Sequence, residues 1–172
     1  MRILGPVTFI GTASMVDIGA TELVALKRAA AKEPMRRSRI CLHASPESAV
    51  QEMIIAFQRD SYIRPHRHNS KQESYHLFEG SLSIGIFDDD GMALHWIHLS
   101  EGGKTFFRLN AQMWHAIIIH SEFAIIQEVT NGPHRPGEGE FALWAPAADA
   151  PEARGYLNKL RYLAANAVSP AG

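Results

Sequence analysis

The chain is short of cysteine, of net charge and of long apolar runs, and each shortage removes a class of protein. Its single cysteine, Cys41, cannot close an internal disulfide, which excludes a disulfide-stapled secreted scaffold and fits a reducing cytoplasm. A formal net charge of −1 gives no broad attraction to nucleic acid or to an anionic membrane, so neither is expected as a partner. No apolar stretch approaches the roughly 18–20 residues of a membrane span. Ile3 to Val16 is mildly apolar behind Arg2, but Gly5-Pro6 and the polar residues of its second half break the continuous run that a secretory leader needs, and a leading strand is the better reading.

What the chain does have is enough apolar material for one core: 46% of 172 residues. The order of its segments divides it into an extension over residues 1–45, a β-rich body over 46–146 and a tail over 147–172, one domain in all. In the extension, Val7 to Ile10 and Ser14 to Ile18 read as extended pieces. Thr21 to Ala31 reads as an amphipathic helix capped by Thr21, with Leu23, Leu26 and Ala30 on one face and Pro34 as its stop. Arg36, Arg37 and Arg39 form a basic cluster, either a solvated loop or an arm that grips an anion at a pocket mouth.

From Val50 onward the period changes. Met53 to Phe57, Ser81 to Ile86, Met92 to Leu99, Thr105 to Leu109, Met113 to Ile119 and Phe123 to Val129 are short strands separated by turn residues such as Asp89-Asp90-Gly91 and Glu101-Gly102-Gly103. That rhythm predicts an all-β sandwich or barrel, here a jelly roll. His134 to Gly139 reads as loop, and Tyr156 to Leu163 as a C-terminal helix whose apolar stripe packs on the barrel or on a second subunit.

The chemistry concentrates in Pro65 to Gly80. His66 and His68 are two apart, so on a strand they leave the same face with backbones roughly 6.5–7 Å apart, close enough for both rings to lean on one cation. Asn69 to Gln72 reads as a turn that brings Glu73 onto a neighbouring strand. Imidazole with carboxylate suits a divalent transition metal better than calcium or magnesium.

His-x-His, four residues, Glu, six residues and Gly resemble the first cupin motif, with His66, His68, Glu73 and Gly80 in place. The resemblance implies a small jelly-roll barrel with one more metal-ligating histidine on a later strand, and His115 is the residue correctly placed. Departures are plain: Asn110 and Gln112 stand where the family usually has Pro and Gly, Ile119 where it often has Asn, and Asp60 where the first motif has its leading glycine. Further along, Leu42-His43, Tyr62 to His68, Lys71 to His76, Phe87-Asp88, Trp114-His115 and Gln127 to Pro133 resemble the WbuC-type cupin metalloproteins over roughly residues 20–146. That resemblance implies a homodimer and a place in saccharide or cell-envelope biosynthesis, with the reaction undefined.

Three His and one Glu leave a six-coordinate ion two positions for water or substrate. Iron, manganese, nickel, zinc and cobalt all accept such ligands. Alternation places Tyr62 and Arg64 on the face of His66 and His68, puts Tyr75 and Leu77 inward and His76 outward, and aligns Met113, Ile117 and Ile119 with His115. Tyr75, Arg64 and Glu128 are the candidate catalytic groups, with Lys71 a further second-sphere candidate. Glu128 lies in an apolar strand, facing either solvent or the pocket. Two functions follow: a metal-dependent enzyme acting on a sugar, sugar nucleotide or similar small polar molecule, or a non-catalytic module that binds a saccharide or carboxylate in the same barrel.

Overall fold

A computed structural model describes residues 5–167; residues 1–4 and 168–172, the outer ends of the expected extension and tail, lie outside the described residues. Eleven strands and two helices run in the order β1 (Val7–Phe9), α1 (Ala20–Lys32), β2 (Arg37–Cys41), β3 (Val50–Gln58), β4 (His66–His68), β5 (Glu73–Glu79), β6 (Ser81–Phe87), β7 (Ala93–Ser100), β8 (Phe106–Leu109), β9 (Trp114–Ile119), β10 (Phe123–Asn131), β11 (Gly139–Phe141) and α2 (Ala153–Asn166). They form a six-stranded sheet, β1-β2-β3-β10-β5-β8, facing a five-stranded one, β11-β4-β9-β6-β7. The fold is the expected jelly roll, built as two opposed sheets rather than a continuously hydrogen-bonded barrel.

Alternation sorts the side chains. Ile55, Ile126 and Leu77 of the first sheet meet Ile84, Ile117 and Ile119 of the second in the central core, each buried aliphatic contributing about 1.5–3 kcal/mol. The odd-numbered residues of β6 point to the other side, where Phe87 joins Trp114, Ile118 and Leu160 of α2. On the first sheet's outer face, Leu26 and Ala30 of α1 cover Ile40, Ile54 and Ile125. Gly80 sits between β5 and β6 at φ 87°, and a Cβ there would meet the Phe123 carbonyl oxygen at 2.2 Å, so the tight return from one sheet to the other requires glycine.

Several expectations change in the structure. Helix α1 is capped by Gly19 instead of Thr21, because Glu22 reaches back to accept the Gly19 N–H at 3.0 Å. Residues 14–18 form no strand. Residues 134–138 are loop as expected, and β11 starts at Gly139, recruited by pairing with β4. The basic cluster is not a loop: Arg37 and Arg39 lie on β2, while Arg36, at φ 55°, turns back to donate to the Ala31 carbonyl at 2.8 Å. No described helix is long and apolar enough to cross a membrane.

Candidate metal centre

β4 is only three residues long, yet it carries both histidines of the His-x-His pair. It contacts β9 through one register pair, His66 opposite His115, so two rings start from neighbouring backbone positions, with Cβ atoms about 4.5–5.5 Å apart. Glu73 comes from the other sheet, at the first position of β5. The four side chains therefore close on one point from both layers, with one prospective ligand atom from each within 4.8 Å of the others. Among the described residues this is the one such cluster.

Hydrogen bonds fix which nitrogens face the centre. His66 Nδ1 donates to the Arg64 carbonyl at 3.0 Å and His115 Nδ1 donates to the Met113 carbonyl at 2.9 Å. Each ring thereby turns Nε2 toward the centre, the orientation that a metal ligand needs. His115 Nε2 is buried without a hydrogen-bond partner and lies 3.1 Å from Glu73 Oε2. His68 Nε2 lies 3.3 Å from Glu73 Oε1, and its Nδ1 is also buried and unpartnered. Gly139 makes room for the His68 ring, since a Cβ there would come within 3.3 Å of Cε1.

The electrostatics agree. Burial, reinforced by the neighbouring His115, pushes His66 down to about 3, leaving it a neutral donor at physiological pH. Burial would raise Glu73, but the imidazoles of His115 and His68 outweigh it and hold the carboxyl well below its ordinary range. His68 moves upward because the Glu73 carboxylate accepts from it, against the opposing effect of burial. A neutral imidazole at His66, two further imidazoles beside the Glu73 carboxylate, and the orphaned buried nitrogens of His68 and His115 fit a divalent transition cation.

The surrounding candidates do not all converge. Tyr75 is buried on the inner face in the same register row as Glu128. Burial and the nearby Glu73 and Glu128 carboxylates keep its phenol well above the usual range. Glu128 shares the inner face with Ala124 and Ile126, which resolves its two possible orientations in favour of the interior. Burial, with Glu73 adding repulsion, raises it to about 7. Thr130, one position along on the same face, is opposite Glu73, and its hydroxyl is buried without a partner; the sequence reading passed over it because a strand threonine carries no signal of its own.

Arg64 departs from expectation. Its Nε and Nη2 donate to the Ala142 carbonyl at 3.0 and 2.7 Å. Tyr62 likewise packs beside Ala153 and Leu157 and donates to the Pro146 carbonyl at 3.0 Å. The alternation extended back from His66 fails because residues 61–65 are not strand. Met113 also precedes β9 and is exposed, whereas Ile117 and Ile119 do face the core. Lys71 is buried against Glu138 at 3.5 Å.

A cupin-type jelly roll with a three-histidine, one-glutamate cluster between its sheets is the class that fold and site define. Comparison with known proteins agrees on the fold. The capsular polysaccharide assembling protein CapF from Staphylococcus aureus superposes with a TM-score of 0.53 at 14% identity, over 60% of this chain and 29% of that one. CapF with the inhibitor 3-isopropenyl-tropolone gives 0.52 at 14% identity, over 60% of this chain and 31% of that one. The match thus spans under a third of either CapF chain. The model of a domain of unknown function, DUF6016, matches residues 18–99. No curated protein matches in sequence.

Proposed function

We infer that this chain is a metal-dependent cupin enzyme of the WbuC type, acting on a sugar, sugar nucleotide or similar small polar molecule in saccharide or cell-envelope biosynthesis. The observation that carries it is the meeting of His66, His68, Glu73 and His115 within 4.8 Å of one another, beside a carboxylate that burial raises to about 7. A divalent ion held by these four residues would polarise a substrate oxygen or acidify a bound water. Glu128 is suited to move a proton, since a group poised near neutrality can both accept and release one. Tyr75 lines the same face as a neutral hydroxyl, and Glu73 is held by its imidazole neighbours. CapF, by its description, serves capsular polysaccharide assembly, a setting compatible with this reading. A cytoplasmic homodimer is part of the same proposal.

A non-catalytic saccharide- or carboxylate-binding module is the second reading. The tie of Arg64 to Ala142 favours it, because that removes one of three expected catalytic groups. Metal-loaded protein incubated with a panel of sugar nucleotides and sugar phosphates, followed by mass spectrometry, separates the two. Conversion that falls about a hundredfold or more in Glu128→Gln, with metal content kept, is expected for general acid–base chemistry. Saturable binding without conversion selects the module, and neither binding nor conversion rejects both.

A further inference from the structure

Arg37 and Arg39 are left over by the site just described. Arg37 is opposite Phe57 and Arg39 opposite Ile55 in the β2–β3 register. Both partners belong to the core between the sheets, so both arginines leave β2 on the face that carries Glu128, Tyr75 and Glu73. β2 is two strands from β10 in sheet order, about 10 Å at the usual strand spacing. In register the row of Tyr75, Glu128 and Met53 ends on Cys41, two residues beyond Arg39 and four beyond Arg37. Both guanidinia nevertheless reach far enough along the face to act on the Glu128 carboxyl, Arg39 more strongly than Arg37.

Their partners are inadequate. Among the described residues neither arginine has a carboxylate within 4.0 Å. Their side-chain contacts are to weak sulfur acceptors: Arg37 Nη2 lies 4.0 Å from Met35 Sδ and Arg39 Nη1 3.9 Å from Met53 Sδ. Each guanidinium has five N–H donors. Burial, followed by repulsion from Arg39, lowers the pKa of Arg37 against an opposing pull from Glu128, so Arg37 is partly dehydrated and close to its exposed neighbour Arg39. Two like charges on one strand face, two residues apart and with Glu128 nearby but outside ion-pair distance, favour an anion that joins them.

We propose that Arg37 and Arg39 form the oxyanion-recognition end of the pocket, so that its ligand carries a carboxylate or phosphate at one end and metal-binding oxygens at the other. The class is an acidic or phosphorylated sugar rather than a neutral one. This rests on the metal-site reading for the ligand's second end only; the arginine pair binds its anion with or without metal. Glu128 then faces the middle of the ligand, between the two anchors. Arg36, tethered to Ala31, takes no part.

The test uses the full chain, chelator-treated and metal-loaded, with inorganic phosphate, glucuronate and glucose as probes and thermal unfolding as readout. Phosphate or glucuronate, and not glucose, is expected to raise the unfolding temperature in both forms, and the stronger of the two identifies the anion. Arg37→Gln with Arg39→Gln is expected to raise the half-saturating concentration about tenfold or more, with Arg36→Gln unchanged. Should the double variant not fold, Arg39→Lys serves, retaining charge but losing the bidentate fork and binding several-fold more weakly. A response equal for glucuronate and glucose, no response to any probe, or an undiminished response in the arginine variants overturns the proposal. An anion response that survives chelation while the metal-loaded form shows no metal defeats the metal reading alone.

Discussion

His115 Nε2 and Glu73 Oε2 approach to 3.1 Å across the space between the two sheets, while His115 Nδ1 donates to the Met113 carbonyl at 2.9 Å. An imidazole nitrogen and a carboxylate oxygen held this close in a buried setting favour a shared cation between them, a proton or a metal, which is why His115 helps hold Glu73 below its ordinary range.

His115→Ala removes the ligand supplied by the less regular of the two sequence motifs. Metal per chain, measured by elemental analysis after gel filtration, is expected to fall at least tenfold. His95→Ala, at an exposed position of β7, is the control and should leave it unchanged. Equal metal in both variants would falsify the assigned ligand set.

The metal-stripped protein should show a defined pH window. Glu73 is depressed in the fold, so its contribution is present above its ordinary value of 4.5 and is lost as pH falls toward its lower folded value. His68 is raised, so its contribution is complete below 6.5 and is lost as pH rises through its folded value. Both are complete between 4.5 and 6.5. Thermal melts across that range should show a maximum that Glu73→Gln abolishes. Metal binding must expel the His68 proton, so metal affinity should rise with pH over the same interval.

Gln112 adopts φ 69° where the family pattern has glycine, and its N–H donates to the His68 carbonyl at 2.7 Å. A left-handed residue with a side chain costs about 1–2 kcal/mol, against about 0.5–1 kcal/mol of chain entropy for glycine. Gln112→Gly should therefore stabilise by roughly 0.5–1 kcal/mol in denaturant melts, with metal content unchanged. A loss of stability would show that the glutamine side chain contributes contacts worth more than its backbone conformation costs.

Ser83 contacts both His120 Nε2 at 2.7 Å and His98 Nδ1 at 3.2 Å, on the second sheet. Burial, then repulsion from His98, Arg161 and Arg59, lowers His120 to about 4. The unfolded chain binds the proton more readily, so this site destabilises the fold as pH drops from 6.5 toward 4. His120→Gln should flatten that acid limb, read as unfolding midpoint against pH; an unchanged slope would place the acid sensitivity elsewhere.

The strands were legible because their one buried face imposes period two: Ser81 to Ile86 and Phe123 to Val129 match β6 and β10 with small end shifts. The meeting of His66, His68, Glu73 and His115 was legible because the resemblance to a known motif says which residues come together. Arg64 was not, because parity holds only inside a ladder and the segment before β4 has none. The orientation of Arg37 and Arg39 was hidden for a related reason: a basic triplet looks like solvated loop until its pairing with β3 is known. Thr130 owes its place to register across three strands, which no local pattern reveals.

The segment that delivers His66 draws several of its anchors from the chain's last quarter. Arg161 in α2 grasps the Arg59 carbonyl and Asp60, Tyr62 is tied to Pro146, and Arg64 to Ala142. A fragment ending after β10 would contain every prospective ligand and still grip an ion poorly, its leading histidines adrift. The carboxy-terminal region is thus a clamp whose distant closure sets how firmly the centre holds.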